Sequence, residues 1–201
     1  LMSLEKLIEY FLKFPGIGPR QAKRFAYFLA EQNPDYIKIF SELIAEIKKD
    51  VRQCVSCYKF FEESGNTKEC SLCRNINRDK IIMTLEKDVD LENIERTGIY
   101  RGKYFVLGGV ISFANNNHEE PRFKELFKKV KNEKPDEIII ATSATIEGEN
   151  TARYIEKILQ PLQGAQSKPI KITRLGRGLS TGTELEYIDT ETMSNALKNR
   201  K

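Results

Sequence analysis

The sequence predicts an α/β protein with a helical N-terminal domain and a small four-cysteine module between that domain and a parallel sheet. Three observations carry the prediction. Apolar residues recur at helical spacing up to residue 53, then give way to short β-branched runs that alternate with helical stripes. The chain's four cysteines all fall in one pattern, Cys54-x2-Cys57 and Cys70-x2-Cys73, with twelve residues between the pairs. A proline–glycine segment, Phe14 to Pro19, breaks the first helical stripe and starts the second.

Apolar residues at 4, 7, 8, 11 and 12 make the first stripe, with Ser3 as its N-cap. Ala22, Phe25, Ala26 and Leu29 make the second, and Asn33-Pro34 interrupts it. Ile37, Phe40, Leu43, Ile44, Ile47 and Val51 make a third that runs into the cysteines, so residues 1–53 read as three helices. Ile81 to Leu85 is a nearly continuous apolar run, as a strand covered on both faces requires. Tyr104 to Leu107 is a second strand, ended by Gly108-Gly109, and residues 138–142 and 170–173 are two more. Phe123, Leu126, Phe127 and Val130 place one helix between them. Ala152, Ile155, Ile158 and Leu159 place another, expected to stop before Pro161. Leu185 to Ile188 reads as a further strand, and Asn115 to Asn117 as a surface loop. Strands alternating with helices imply a parallel sheet over residues 77–190.

Two CxxC turns can aim four thiolates at one point, which builds a tetrahedral sulfur site for Zn²⁺. With four protein ligands no position stays open for substrate, so the expected role is structural. The alternative for the same cysteines is a pair of disulfides in a secreted domain, but no segment reads as a signal peptide and the chain is large enough to need no cystine staples.

Gly16-Ile17-Gly18-Pro19 lets a backbone turn closely enough for its amides to meet a phosphate, and Pro19 suits the first helical turn. The helix start adds its positive dipole end. Arg20 and Arg24 share a helix face, and Lys23 lies beside them. This arrangement grips a backbone and ignores bases, in the manner of a helix-hairpin-helix. An ordinary helical corner with solvated basic residues is the plain alternative, because Gly-x-Gly alone is a weak signal. Basic residues crowd the first 60 positions, although the net charge of the whole is only +4.

Glu86 closes the strand 81–85, and Glu147 and Glu149 follow the strand 138–142. Both places are carboxyl ends of parallel strands, where α/β folds put their sites. Carboxylates there could hold Mg²⁺, or could serve only as acids at a helix N-terminus. The pattern resembles the Toprim fold of primases and topoisomerases, but with Glu-x-Glu where that fold has Asp-x-Asp. Other chemistry lacks support. No GxxxxGK[ST] phosphate loop exists, Gly176-x-Gly178 does not open a long helix after the first strand, and His118 is the lone histidine. Arg174 and Arg177 are candidates for contact with nucleic acid or a partner, and Phe60 and Phe61 read as packing for the metal module. No apolar run approaches the length of about 20 residues that a membrane helix needs. The cytoplasm is the expected location.

In order, these pieces resemble the RecR family of bacterial recombination mediators. A helix-hairpin-helix spans Leu12 to Arg24, and a four-cysteine zinc ribbon spans Cys54 to Cys73. Toprim motifs run from Leu85-Glu86 to Glu147-Gly148-Glu149, and a Walker-B-like segment runs from Arg174 to Asp189. Glu95 to Gly109 and Thr173 to Ser180 match family signatures, while Thr183 and Ser143-Ala144 depart from the usual residues. The resemblance implies domains at 1–53, 54–76, 77–173 and 174–201. It implies a non-catalytic role in DNA repair, as a ring-like dimer-to-tetramer clamp bearing one Zn²⁺ per chain. That clamp would bind DNA through Gly16, Ile17, Gly18, Arg20, Lys23 and Arg24. It would work with RecO, and in many bacteria RecF, to load RecA onto single strands coated by single-strand-binding protein, with Glu86, Glu147 and Glu149 contacting RecO. The hairpin and residues 190–201 would be the subunit contacts. A Mg²⁺-dependent Toprim nuclease or phosphotransferase is the rival reading.

Overall fold

The computed structural model describes residues 3–62, 65, 67–111, 121–164, 169–176 and 178–199. The Asn115–Asn117 stretch, His118 and Arg177 lie outside the described residues. The chain divides into two compact units, 1–52 and 53–201.

The first unit holds three helices, as the stripes require: α1 (Ser3–Phe11), α2 (Pro19–Glu31) and α3 (Pro34–Asp50). Ala22 and Ala26, one turn apart, are wholly buried, and their small side chains let α1 approach α2 closely. Phe11 sets its ring edge-on to Phe14 at 5.8 Å and to Phe25 at 5.7 Å, so one aromatic ties the turn to both helices. Asn33 caps α3 by accepting a 2.8 Å bond from the Tyr36 N–H, and Pro34 fills the first position. Asp35 in the first turn and Lys48 and Lys49 in the last complement the helix dipole. The third stripe stops short of its expected end. Val51 leaves the helix for extended backbone, because its neighbours pair as strand β1 (Val51–Gln53) with β2 (Phe60–Glu62).

The second unit is built on a parallel sheet of four strands in the order β4-β3-β5-β6. These are β3 (Asp79–Leu85), β4 (Gly102–Val106), β5 (Glu137–Ala141) and β6 (Lys171–Arg174). Met83 sits opposite both Tyr104 and Ile139, which fixes the register at the centre. One face carries Ile82, Phe105, Ile138 and Ile140 against α6 (Phe123–Glu133) and α7 (Ile146–Gly164). The other carries Met83, Leu85, Tyr104 and Val106 against Leu91 of α5 (Asp88–Arg96). The near-continuous apolar runs of the strands follow from this coverage of both faces. The short helix α4 (Ser71–Arg74) carries the second cysteine pair, and α8 (Thr190–Lys198) is capped by Asp189, which accepts a 2.8 Å bond from the Thr192 N–H.

Two expectations are corrected. Leu185–Tyr187 is a single 3-10 turn and not a strand, since no neighbouring strand pairs with it among the described residues. Helix α7 does not stop before Pro161 but runs through it to Gly164. The proline stands in the last turn, so only one intrahelical bond, to the Lys157 carbonyl, is lost there. Pro161→Ala restores that donor and is expected to raise unfolding stability, by up to about 3 kcal/mol. Urea unfolding measures it, and a fall in stability would mean that the helix ends where the sequence suggested.

Candidate functional site

The four cysteines converge. Their sulfurs lie within 4.8 Å of one another, and no other group of three or more potential ligands is brought that close among the described residues. Cys54 and Cys73 are 3.8 Å apart, and Cys57 and Cys70 are 3.6 Å apart. A disulfide needs about 2.05 Å. Four sulfurs at about 2.3 Å around one ion stand about 3.8 Å apart, so these separations suit a metal and not a cystine. The first turn is closed by a 2.9 Å bond from the Tyr58 N–H to the Cys54 carbonyl, and Tyr58 takes the left-handed backbone this requires (φ 63°). The second turn is the start of α4, where the Cys70 carbonyl accepts from the Cys73 and Arg74 amides. The Cys70 N–H also reaches the Cys54 sulfur at 3.4 Å, a donor that favours thiolate. Hydrogen bonds from Cys57, then Cys70 and Cys73, hold the Cys54 thiol far below its ordinary range, while the bond with Cys54 pushes Cys57 far above it. With Cys57 held protonated by its neighbours, all four sulfurs can be thiolates at this spacing only around a central cation.

The cysteine module also seals the sheet. Strand β4 is at the edge, with β3 on one side only. Leu107 N–H donates to Leu85 of β3 at 2.8 Å, so the Val106 amide faces the open side, where it donates to the Cys57 carbonyl at 2.8 Å. Tyr58 packs its ring on Phe105 at 5.4 Å, and Arg122 lies over the Tyr58 ring at 5.1 Å while donating to the Val106 carbonyl. Buried Lys129 reaches Ser56 at 2.7 Å, and Asp88 accepts from the Phe60 N–H at 2.8 Å. Phe61 packs against the cysteines, as the sequence suggested, while Phe60 is half exposed.

The glycine hairpin presents donors. Gly16 adopts φ +76°, a value glycine reaches without strain, and the Ile17 N–H closes the turn on the Phe14 carbonyl at 3.2 Å. Gly18 is the N-cap of α2, Pro19 follows it, and no side chain caps the helix. The Arg20 and Gln21 amides therefore lack an intrahelical partner. Arg20, Lys23 and Arg24 are exposed, and among the described residues the only side-chain bond any of them makes is a long 3.5 Å contact from Arg24 to Gln21. Gly16, Ile17, Gly18 and these three cations thus occupy one turn and the helix it opens.

The acids behave otherwise. Glu86 is 6% exposed, and both of its oxygens accept from Ser143, one from the amide at 2.6 Å and one from the hydroxyl at 3.0 Å. Glu147 and Glu149 lie in the first turn of α7 and are half-buried. Glu149 pairs with Arg174 at 2.9 Å, and Arg174 forks onto Glu156 with bonds of 2.7 and 2.9 Å. Glu156 foremost, then Glu149, raises the Arg174 pKa further still. Arg174 is thus bound within the fold, a role the sequence did not disclose. Ser143 was missed as well, since its bond to Glu86 spans 57 positions. Gly148 is the close approach on which this edge rests, because a Cβ there would run into the Ser143 carbonyl.

Comparison with known proteins gives a consistent picture. Residues 4–48 match the RecR helix-hairpin-helix family, residues 80–176 the Toprim domain family, and residues 178–201 the RecR C-terminal family. The chain is 38% identical over 199 residues to a protein named Recombination protein RecR from Prochlorococcus marinus (strain AS9601), covering 98% of this chain and 94% of the relative. It is 37% identical over 201 residues to the protein of that name from Dehalococcoides mccartyi, covering 99% and 94%. With the Carboxydothermus hydrogenoformans protein of that name it shares 37% identity over 198 residues, covering 98% and 94%. No helix among the described residues is long and apolar enough to cross a membrane.

Three outcomes are expected from this geometry. Cys57→Ser lowers bound metal from one ion per chain to near zero, lowers the melting temperature, and speeds hydrogen exchange at the Val106 amide. Because protons compete for the thiolates, the parent chain loses its metal as the pH falls. Metal analysis across pH and exchange mass spectrometry check both points. Gly148→Ala is expected to destabilise by about 1–3 kcal/mol through the forced shift of the Ser143 turn, read from urea unfolding.

Proposed function

The chain belongs to the RecR family of recombination proteins, and from that premise we propose that it is a non-catalytic mediator of DNA repair that holds DNA by its backbone. The observation that carries this reading is the contrast between its charged groups. The cations at the glycine hairpin stand unengaged, whereas the carboxylates at the sheet edge are tied to Ser143 and Arg174. Phosphates approaching Gly16, Ile17 and Gly18 meet the uncapped N-terminus of α2 and its open Arg20 and Gln21 amides, with the side chains of Arg20, Lys23 and Arg24 beside them. Backbone amides and a helix N-terminus suit phosphates rather than base edges, so the proposed grip is independent of sequence.

Zn²⁺ is the ion we assign to the four cysteines: it takes four thiolates in a tetrahedron and asks for no redox change. Its part is to hold the two turns rigid; Cys54, Cys57, Cys70 and Cys73 would be its ligands. The remaining assignments follow the family. The protein acts in the cytoplasm at the nucleoid, as a dimer or tetramer that closes around DNA. With RecO, and RecF where present, it promotes loading of RecA onto single strands coated by single-strand-binding protein. Glu147 and Glu149 form the edge offered to RecO, and Glu86 positions that edge from beneath through Ser143. An apolar stripe on α3, with Ile37, Phe40, Leu43, Ile44 and Ile47 between 37% and 60% exposed, supports subunit contact through the N-terminal helices. Exposed Leu197 on α8 supports a second contact near the C-terminus. The domain limits 1–53, 54–76, 77–173 and 174–201 are the organisation that suits this division of labour.

Replacing Arg20 and Arg24 together by Ala is the test. The expected result is weaker binding of all DNA sequences alike. The log–log salt slope should shrink by about 1.4–1.8 for each engaged subunit, as the loss of two phosphate contacts predicts. Unchanged retention would overturn the grip. In the same preparations, Mg²⁺- or Mn²⁺-dependent cleavage lost on Glu86→Ala would overturn the non-catalytic reading.

A further inference from the structure

Helices α6 and α7 lie together on one face of the sheet, and an open groove of about 450 Å³ runs between them. Phe123 and Phe127 line it from α6, and Tyr154 and Ile158 from α7. Each is an i, i+4 pair, so each helix turns two apolar side chains, one turn apart, toward the same channel. Phe123 and Tyr154 meet at 4.6 Å between ring centroids, yet Tyr154 stays 42% exposed. Lys124 and Lys128 complete the lining. They too are one turn apart and exposed, and neither forms an ion pair among the described residues. Their neighbour Lys129 shows the contrast, being buried and bound to Ser56 and Glu133.

We propose that this groove receives an acidic partner peptide that carries bulky apolar side chains, laid in as an amphipathic helix. The apolar walls fit such anchors at the same one-turn spacing. Two unengaged ammonium groups at the rim select for carboxylates on the incoming segment and against basic ones. A nucleic-acid strand would satisfy the lysines and stack on the rings but would leave the one-turn spacing of the apolar walls unused, and competition by oligothymidylate separates it from the peptide. This inference is independent of the DNA grip at the hairpin, and either can fail alone.

The experiment is fluorescence anisotropy of the full-length, metal-loaded protein with a labelled peptide, Glu-Glu-Leu-Glu-Asp-Phe-Leu-Glu-Glu. The expected result is saturable binding. It should weaken by about tenfold or more when Lys124→Glu and Lys128→Glu are combined, and likewise when the peptide's acids are replaced by their amides. Both lysines are exposed, and an unchanged melting curve shows that the double variant is folded. Three results would each overturn the proposal. They are absence of binding at millimolar peptide, equal binding by the double variant, and displacement of the peptide by oligothymidylate. Equal binding accompanied by a drop in the variant's solution mass would assign the groove to a second copy of the chain.

Discussion

An exposed edge strand is the constraint around which the larger unit is arranged. Strand β4 is held by β3 on one side and would otherwise offer unpaired amides and carbonyls on the other. Three groups close that side: the Cys57 carbonyl takes the Val106 amide, Arg122 takes the Val106 carbonyl, and Arg78 takes the Gly102 carbonyl at 2.6 Å. Arg78 is in turn held by Glu95, whose other oxygen accepts from Tyr104 at 2.7 Å. The cysteine module is therefore more than an appendage stiffened by a metal. Its first turn is where the sheet ends.

That arrangement links two features that look separate in the sequence. Tyr58 stands in left-handed backbone because the cysteine turn needs that bend, and the bend places its ring against Phe105 of β4. A metal that fixes the turn thereby fixes a core contact. The acidic edge is built on a similar principle at the carboxyl ends of β3, β5 and β6. Glu86 accepts two bonds from Ser143, Gly148 lets α7 start hard against the Ser143 carbonyl, and Arg174 at the end of β6 draws Glu149 and Glu156 together. The carboxylates there are structural members first. Only what they leave exposed can meet a partner.

Much of this was legible in the residues. The stripes of α1, α2 and α3 and the β-branched runs of β3, β5 and β6 gave their elements nearly residue by residue, because each obeys one periodicity. The cysteine spacing gave the convergence of the four sulfurs, because a CxxC turn is local chemistry. The hairpin was legible for the same reason. Helix α5 was not, since Asp88–Arg96 is dense in charge and buries only Leu91 fully. Pro161 misled because its penalty depends on how much helix follows. Leu185 to Ile188 has strand-like composition, but pairing is a tertiary fact that composition does not carry. The bonds from Ser143 to Glu86 and from Arg174 to Glu149 join distant positions, and no local pattern announces them.

The N-terminal helices bear one further consequence. Among their described residues only Ala22 and Ala26 are fully buried, and α3 contributes none. Two methyl groups and a few ring edges make a meagre interior for some fifty residues. In the assembly proposed above, the persistence of those helices becomes a matter of mass action: dilution should loosen them, and crowding several chains together should set them firm.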